Sequence, residues 1–442
     1  MPQIESPAAN SAAVSMDASL GIPAATRERP VWLRVGMLLD GVSTTPLKNA
    51  HIVYDDRRIL FAGTEAPARD LVPAGRSAPD LDLPEFTLLP GLIEAHAHFF
   101  LEGGELDLEK RSAYLERSPE QLLRLAIPRL EKLARLGIVG VRDAGDRHGV
   151  GLALSKLYAS AGRPLMPYVD SPGAAIHHRG RYGGFMAEPM EDFPSPAACV
   201  VARVEAGAYR IKLIPTGIIN FKKGAVTAAP QMTAEEIRAL VVTAQSLVRQ
   251  TLAHASGDEG IERALDGGVD TIEHGFFVRS DQLAKMRDRG IAWVPTFAPV
   301  QKQVDHAGRM GWDSETVSNL RRILDAHAAS LVKAHAMGVT IIAGSDAGSV
   351  GVAHGLDFFY ELELMERAGL SPLAVLNSAT GAGSRRLAFG EKFARIERGF
   401  SSRFLLTCHS PLESVANLRK PKSVIFNGVL LESRATLDPS GL

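Results

Sequence analysis

Six side chains of metal-ligating type stand where apolar runs end: His96, His98, Lys212, His254, His274 and Asp346. The first two close the stretch Thr87-Leu-Leu-Pro-Gly-Leu-Ile-Glu-Ala-His-Ala-His98, with one alanine between them. In an extended strand the side-chain period of two puts both imidazoles on one face. Neighbouring imidazoles at the end of a buried strand suit a divalent ion of the zinc type. Taken singly, each of the six has a plainer explanation. A strand-end histidine is more often a satisfied core or loop residue, Asp346 alone could cap a helix, and Lys212 alone could snorkel or pair with a carboxylate. Burying one such group without a partner costs a few kcal/mol. Six in matching places therefore call for a common cause, and shared metal coordination supplies it.

Those side chains need elements to position them. Apolar runs at 90–98, 138–145, 165–171, 209–217, 251–254, 270–275, 291–296 and 339–346 read as eight strands. Between them lie amphipathic segments with apolar residues recurring at three to four, such as 120–136, 234–250 and 319–337. Strand–helix alternation over this length predicts an α/β fold, a (β/α)8 TIM barrel spanning 90–390. A doubly wound open sheet is disfavoured, because no glycine-rich phosphate fingerprint follows the first strand. Outside the barrel, short runs at 31–39, 50–54, 58–62, 402–407 and 422–431 are split by turn residues, with Asn427-Gly428 reading as a tight hairpin. They predict a small β-sandwich built from both ends of the chain, 29–89 and 391–442. Residues 1–28, rich in Ala, Ser and Pro, read as a disordered tail.

The 442-residue chain has a net charge of −1, so nothing in its charge favours nucleic acid or an anionic membrane. Its two cysteines, Cys199 and Cys408, lie far apart, which speaks against a disulfide scaffold or a thiolate zinc site and fits a reducing cytoplasm. No apolar run is long enough to predict a transmembrane helix. Any metal must be held by histidines and oxygens.

The order His-x-His, Lys212, His254, His274, Asp346 resembles the amidohydrolase superfamily in its binuclear-metal branch, with prolidase-like and imidazolonepropionase-related texture. The flanking text is similar too: Leu89-Pro-Gly-Leu-Ile-Glu-Ala-His-Ala-His, Val141-Arg-Asp-Ala-Gly, Ile272-Glu-His-Gly, and Ala343-Gly-Ser-Asp-Ala-Gly followed by His354-Gly. The resemblance implies two divalent ions, zinc by expectation. His96, His98 and Asp346 would hold the inner ion, and His254 and His274 the outer. Lys212 would bridge them as a CO2-derived carbamate. It implies hydrolysis of an amide-type C–N bond by a hydroxide shared between the metals, with Asp346 moving the proton. Substrates of that kind include Xaa-Pro or other dipeptides, N-acyl amino acids, and xenobiotic amides, carbamates or ureas. Cyclic amide opening and heterocycle deamination on the same metals are the alternatives, and a non-catalytic binding scaffold a further one. Related deaminases usually lack the strand-four lysine and carry a glutamate three residues after the strand-five histidine. Here Lys212 is present and Gly257 stands at that offset, which weighs against deamination. By analogy a homo-oligomer, up to an octamer, is expected.

Two departures bear on the pocket. His254-Ala-Ser-Gly replaces the His-Ala-His-Gly common in similar proteins, and the loop 173–184 lacks a clean Gly-His-Gly. Within that loop His178, Arg181 and Tyr182, together with His354 after the last strand, are the candidates to touch a small-molecule substrate. Trp293, Phe297 and Phe277 are candidates for an apolar wall, Lys222 and Lys223 for a solvated face, and Arg142 with Asp143 for a structural ion pair.

Overall fold

The computed structural model describes residues 20–72, 75–160 and 165–433. Within them lie β1 (Val31–Leu38), β2 (Leu47–Tyr54), β3 (Ile59–Gly63), β4 (Leu81–Pro90), β5 (Leu92–Ala97), β6 (Ile138–Asp143) and β7 (Tyr168–Asp170). The later strands are β8 (Arg210–Leu213), β9 (Gln250–Ala255), β10 (Thr271–His274), β11 (Ala292–Val294), β12 (Arg403–Thr407), β13 (Lys422–Phe426) and β14 (Val429–Ser433).

Two sheets of the α/β part are wholly parallel, β5-β6-β7 and β8-β9-β10-β11, each in sequence order. Their strands are buried on both faces, which is why they read as continuous apolar runs. Isolated parallel bridges join what the ladders leave apart: Ile176 to Leu213, Trp293 to Ile341, and Ala97 to Ala347. Residues 341–347 thus run between β11 and β5. The expected eighth strand over 339–346 is not a regular ladder. It pairs through single bonds, Trp293 N–H to Thr340 O (2.9 Å), Ala95 N–H to Ala343 O (3.1 Å) and Asp346 N–H to His96 O (2.7 Å). Asp346 itself sits at φ +57°, a left-handed conformation that an extended strand cannot contain.

Helices lie between the strands, and their ends follow local chemistry. Helix Pro119–Arg135 opens with a capping box from Ser118 and Gln121. Helix Ala234–Ser246 opens with the same device from Thr233 and Glu236. It stops four residues short of the expected 250 because Val248 takes φ +56°. Helix Ser314–Met337 starts five residues before the expected 319, where the Asp313 carboxylate accepts from Thr316 N–H, and ends at Gly338. Among the described residues no helix is long and apolar enough to cross a membrane.

The two ends of the chain meet in one mixed seven-stranded sheet, ordered β14-β13-β12-β4-β1-β2-β3. The joining pair is antiparallel β4–β12, with Leu405 opposite Leu89. Asn427 (φ +50°) and Gly428 (φ +76°) make the turn between β13 and β14. A separate apolar cluster forms here, including Val31, Leu33, Ile52, Tyr54, Phe404 and Ile425. Ile22 and Ala25 join it, and Ala25 N–H donates to Gly428 O at 2.9 Å. The part of the expected tail from Leu20 onward therefore packs on this sheet, because its apolar residues have a surface to bury against; residues 1–19 lie outside the described residues. β4 runs almost directly into β5, and the hinge must be Gly91: a Cβ there would come within 2.2 Å of Val139 Cγ1. That continuity anchors the His96–His98 segment to both apolar clusters.

Candidate metal centre and its cavity

All six candidate ligands line one cavity of about 240 Å³ at the C-terminal ends of the parallel strands. His96 and His98 follow from β5, Lys212 from β8, His254 from β9 and His274 from β10. Asp346 follows the segment beside β5. The ring centroids of His96 and His98 are 5.6 Å apart, those of His96 and His274 5.0 Å, and those of His254 and His274 4.5 Å. Asp346 Oδ1 lies 3.7 Å from His96 Nε2 and 3.5 Å from His98 Nε2. One ligand atom from each of His96, His274 and Asp346 falls within 4.8 Å of the others.

Each imidazole has one ring nitrogen committed away from this cluster. His98 Nδ1 donates to Gly145 O (3.0 Å) and His254 Nε2 to Gly217 O (3.3 Å). His274 Nδ1 pairs with Thr296 Oγ1 (2.7 Å), and His96 Nδ1 with Glu273 Oε2 (2.5 Å). Outer hydrogen bonds of this kind fix the tautomer and the plane of a ligating ring. His96 Nε2 is buried without any hydrogen-bond partner, and an orphaned buried nitrogen aimed at two other donors is what a cation would satisfy. The residues present therefore fit a divalent metal.

The electrostatics agree with that donor set. Burial pushes the His98 and His254 imidazoles down to about 3, and holds His96 and His274 well below the ordinary value. All four are kept neutral, the form that ligates. Burial likewise lowers the Lys212 ammonium and raises the Asp346 carboxyl. Two of the group, His274 (φ +66°) and Asp346 (φ +57°), hold left-handed backbone. Such conformations cost of order 1–3 kcal/mol and cluster at functional sites.

Beneath the cluster lies a buried ion pair. Arg142, from β6, forks onto Glu273 of β10 at 2.8 and 2.7 Å, while its Nε donates to Ala95 O (2.7 Å) and its Nη1 to Thr271 Oγ1 (3.0 Å). The expected partner Asp143 instead accepts from Ser171 Oγ (2.8 Å). Adjacent strand residues point to opposite faces, so Arg142 and Asp143 cannot pair. Glu94 accepts from Ser345 Oγ, Ser345 N–H and His96 N–H, tying the segments that carry His96 and Asp346. Glu273, Thr296 and Glu94 were not among the sequence candidates. For Glu273 and Glu94 a signal existed, a carboxylate inside an otherwise apolar strand; for Thr296 there was none.

Of the four expected substrate contacts, the structure brings only Tyr182 to the cavity, its ring 5.3 Å from that of His254. His178 is taken by carboxylates on both sides, Glu191 Oε1 at 2.8 Å and Glu236 Oε1 at 3.4 Å. Arg181 is exposed and donates to Ala229 O. His354 is buried behind the site, donating from Nε2 to His98 O at 3.1 Å. The expected aromatic wall is also replaced. Trp293 is core, its Nε1 donating to His274 O (2.8 Å), Phe297 packs against His327, and Phe277 lies aside. Phe185, Phe221 and Phe276 line the cavity in their stead. Lys222 and Lys223 are exposed, as expected.

Known proteins resemble this chain in sequence and in fold. An ochratoxinase from Aspergillus niger is 26% identical over 448 residues, covering 94% of this chain and 89% of the relative. A crystal structure of a Xaa-Pro dipeptidase with bound methionine in the active site superposes with a TM-score of 0.76 at 26% identity, covering 91% of this chain and all of that one. The crystal structure of A. niger ochratoxinase, at 22% identity and a TM-score of 0.74, covers 92% of this chain and 96% of that one, and shares the fold. The sequence model of the Amidohydrolase family matches residues 87–431, and the chain belongs to that family.

Proposed function

We propose that this chain is a metal-dependent hydrolase of an amide-type C–N bond, working on a pair of divalent ions. One observation carries the reading: four neutral imidazoles, three of them buried and His254 half-buried, each tethered by its outer nitrogen, share a cavity with Asp346 and Lys212. His96, His98 and Asp346 would hold one ion and His254 and His274 the other, with zinc the natural choice for such a donor set. Burial lowers the Lys212 ammonium to about 8 and so eases its deprotonation; the neutral amine could add to CO2 and lose a proton, and the resulting carbamate would supply an anionic oxygen donor to the metals. Bound ions of this type supply Lewis acidity and lower the pKa of water toward 7.

The chain's own residues do the rest. The Asp346 carboxylate accepts the proton of the attacking water and delivers it to the leaving nitrogen, so the amine departs neutral. Glu273 and Arg142 hold the His96 ring plane, and Thr296 that of His274. The apolar lining excludes bulk water and so strengthens every charge interaction inside. We also propose that the two parallel sheets and residues 339–347 close into the eight-stranded barrel, a reading supported by the three bridges at their edges. The seven-stranded sheet would bend on itself as a sandwich around its own apolar cluster.

The test is metal analysis of the purified full-length chain together with an amide screen that detects released amine. Two divalent ions per chain and amine release are expected. A chain that takes up no divalent ion and cleaves no amide would refute the reading.

A further inference from the structure

The cavity has two unlike parts. Its floor carries the candidate ligands. Its wall carries Phe185, Ile214, Ile218, Phe221, Phe276 and Val300, and the polar groups set among them are neutral: Tyr182, Ser256, Gln303 and Ser349. Among the described lining residues Lys212 is the sole Lys or Arg, and it belongs to the floor. The cations nearby are spent elsewhere. Arg111 donates to the carbonyls of Glu102 and Gly348, Arg181 to that of Ala229, and Arg142 is fully buried on Glu273. Gln303 is itself partly engaged, its Oε1 accepting from Trp312 Nε1 at 3.1 Å.

A carboxylate moved into such a wall loses its water and gains no guanidinium fork or ammonium in return, which is costly. A dipeptide or an N-acyl amino acid brings that carboxylate within a few bonds of the scissile one, where the lining is mostly apolar. An aryl or branched alkyl group meets only surfaces that resemble it, and its burial is favourable. We infer that the substrate is an amide whose groups flanking the scissile bond are uncharged and apolar, such as an arylamide, and that carboxylate-bearing amides are selected against. This rests on the hydrolase reading above and narrows it.

The experiment compares three ligands on the metal-loaded full-length protein: benzanilide, a benzanilide with a para-carboxylate on either ring, and the corresponding uncharged para-carboxamide. Both kcat/KM and Kd are measured. The carboxylate is expected to reduce both affinity and kcat/KM by about 100-fold or more, the carboxamide by less than about tenfold. Ile218, 56% exposed at the cavity, tolerates a larger polar side chain. Ile218→Arg is expected to recover about tenfold of the carboxylate's deficit relative to benzanilide. Equal or better use of the carboxylate ligands, or an unchanged ratio in Ile218→Arg, overturns the inference. If none of the ligands is cleaved but the order of Kd holds, the charge preference stands and the hydrolase reading is decided by the metal analysis and the wider amide screen above. If cleavage occurs with the order reversed, the hydrolase reading stands and this inference falls.

Discussion

The floor and the wall of the cavity are built on opposite plans. On the floor each imidazole is held twice, by its strand and by an outer hydrogen bond: His96 by Glu273, His98 by Gly145, His254 by Gly217, His274 by Thr296. Glu273 is in turn clamped by Arg142, and the left-handed backbone of His274 and Asp346 is the cost of aiming those groups. The wall is made mostly of apolar side chains from loops and from the helix Ala298–Asp305, and these carry no directional commitments. A floor of this kind sets which reaction is feasible and tolerates little change. A wall of this kind sets what is admitted, and its contacts can be exchanged one methylene at a time. The comparison predicts large effects on turnover below and modest effects on affinity above.

Metal removal should give the largest effect. Dialysis against a chelator is expected to lower amide hydrolysis by more than about 1,000-fold, with recovery on adding zinc; activity that survives chelation would break the floor's assigned role. Asp346→Asn comes next, with turnover down about 1,000-fold while metal content stays near that of the parent chain. Wild-type turnover in that variant would remove Asp346 from proton transfer. Glu273→Gln keeps an oxygen near His96 but loses the charged fork to Arg142, and metal affinity should weaken about 10–100-fold. Titration of the apo protein with zinc reads this directly, and an unchanged affinity would make Glu273 a fold residue only. On the wall, Phe185→Ala should raise KM for an apolar amide by about tenfold with kcat nearly constant. A loss confined to kcat would mean that the wall takes part in the chemistry.

The smallest effect concerns stability rather than turnover. Glu361 is buried, accepts from Phe297 N–H (2.9 Å) and Ala298 N–H (2.8 Å), and burial pushes its carboxyl up to about 8 from the ordinary 4.5. A folded-state value above the unfolded one means that its stabilising contribution is full below about pH 4.5 and is lost as pH rises through about 8. Glu361→Gln should therefore flatten the fall of the unfolding midpoint across that window. An identical pH profile in both proteins would show that Glu361 is ionised in the folded state.

How far the molecule was legible depended on whether information was local. The floor was legible because each ligand sits at the end of an apolar run, and a polar residue there is conspicuous in one dimension. The strands of the parallel sheets were legible for the same reason, except for 339–346, where the bend at Asp346 breaks the ladder. The pairing of Arg142 was misjudged because neighbours in sequence look like partners, whereas in a strand they face apart. Most of the wall was not legible. His178 and Arg181 have the right chemistry for a substrate contact, yet they are claimed by Glu191, Glu236 and Ala229, residues 13 or more positions away. Of that loop only Tyr182 faces inward.

The sequence by itself determined the candidate donors, the alternation of strands and helices, and the β-rich ends, since these follow from residue type and short-range period. Tertiary structure alone decided which loops surround the donors, which cations remain available to a ligand, and which carboxylate steadies which imidazole. Those depend on pairings between segments far apart in the chain, 251 residues in the case of Glu94 and Ser345, and no local pattern encodes the distance between two such atoms.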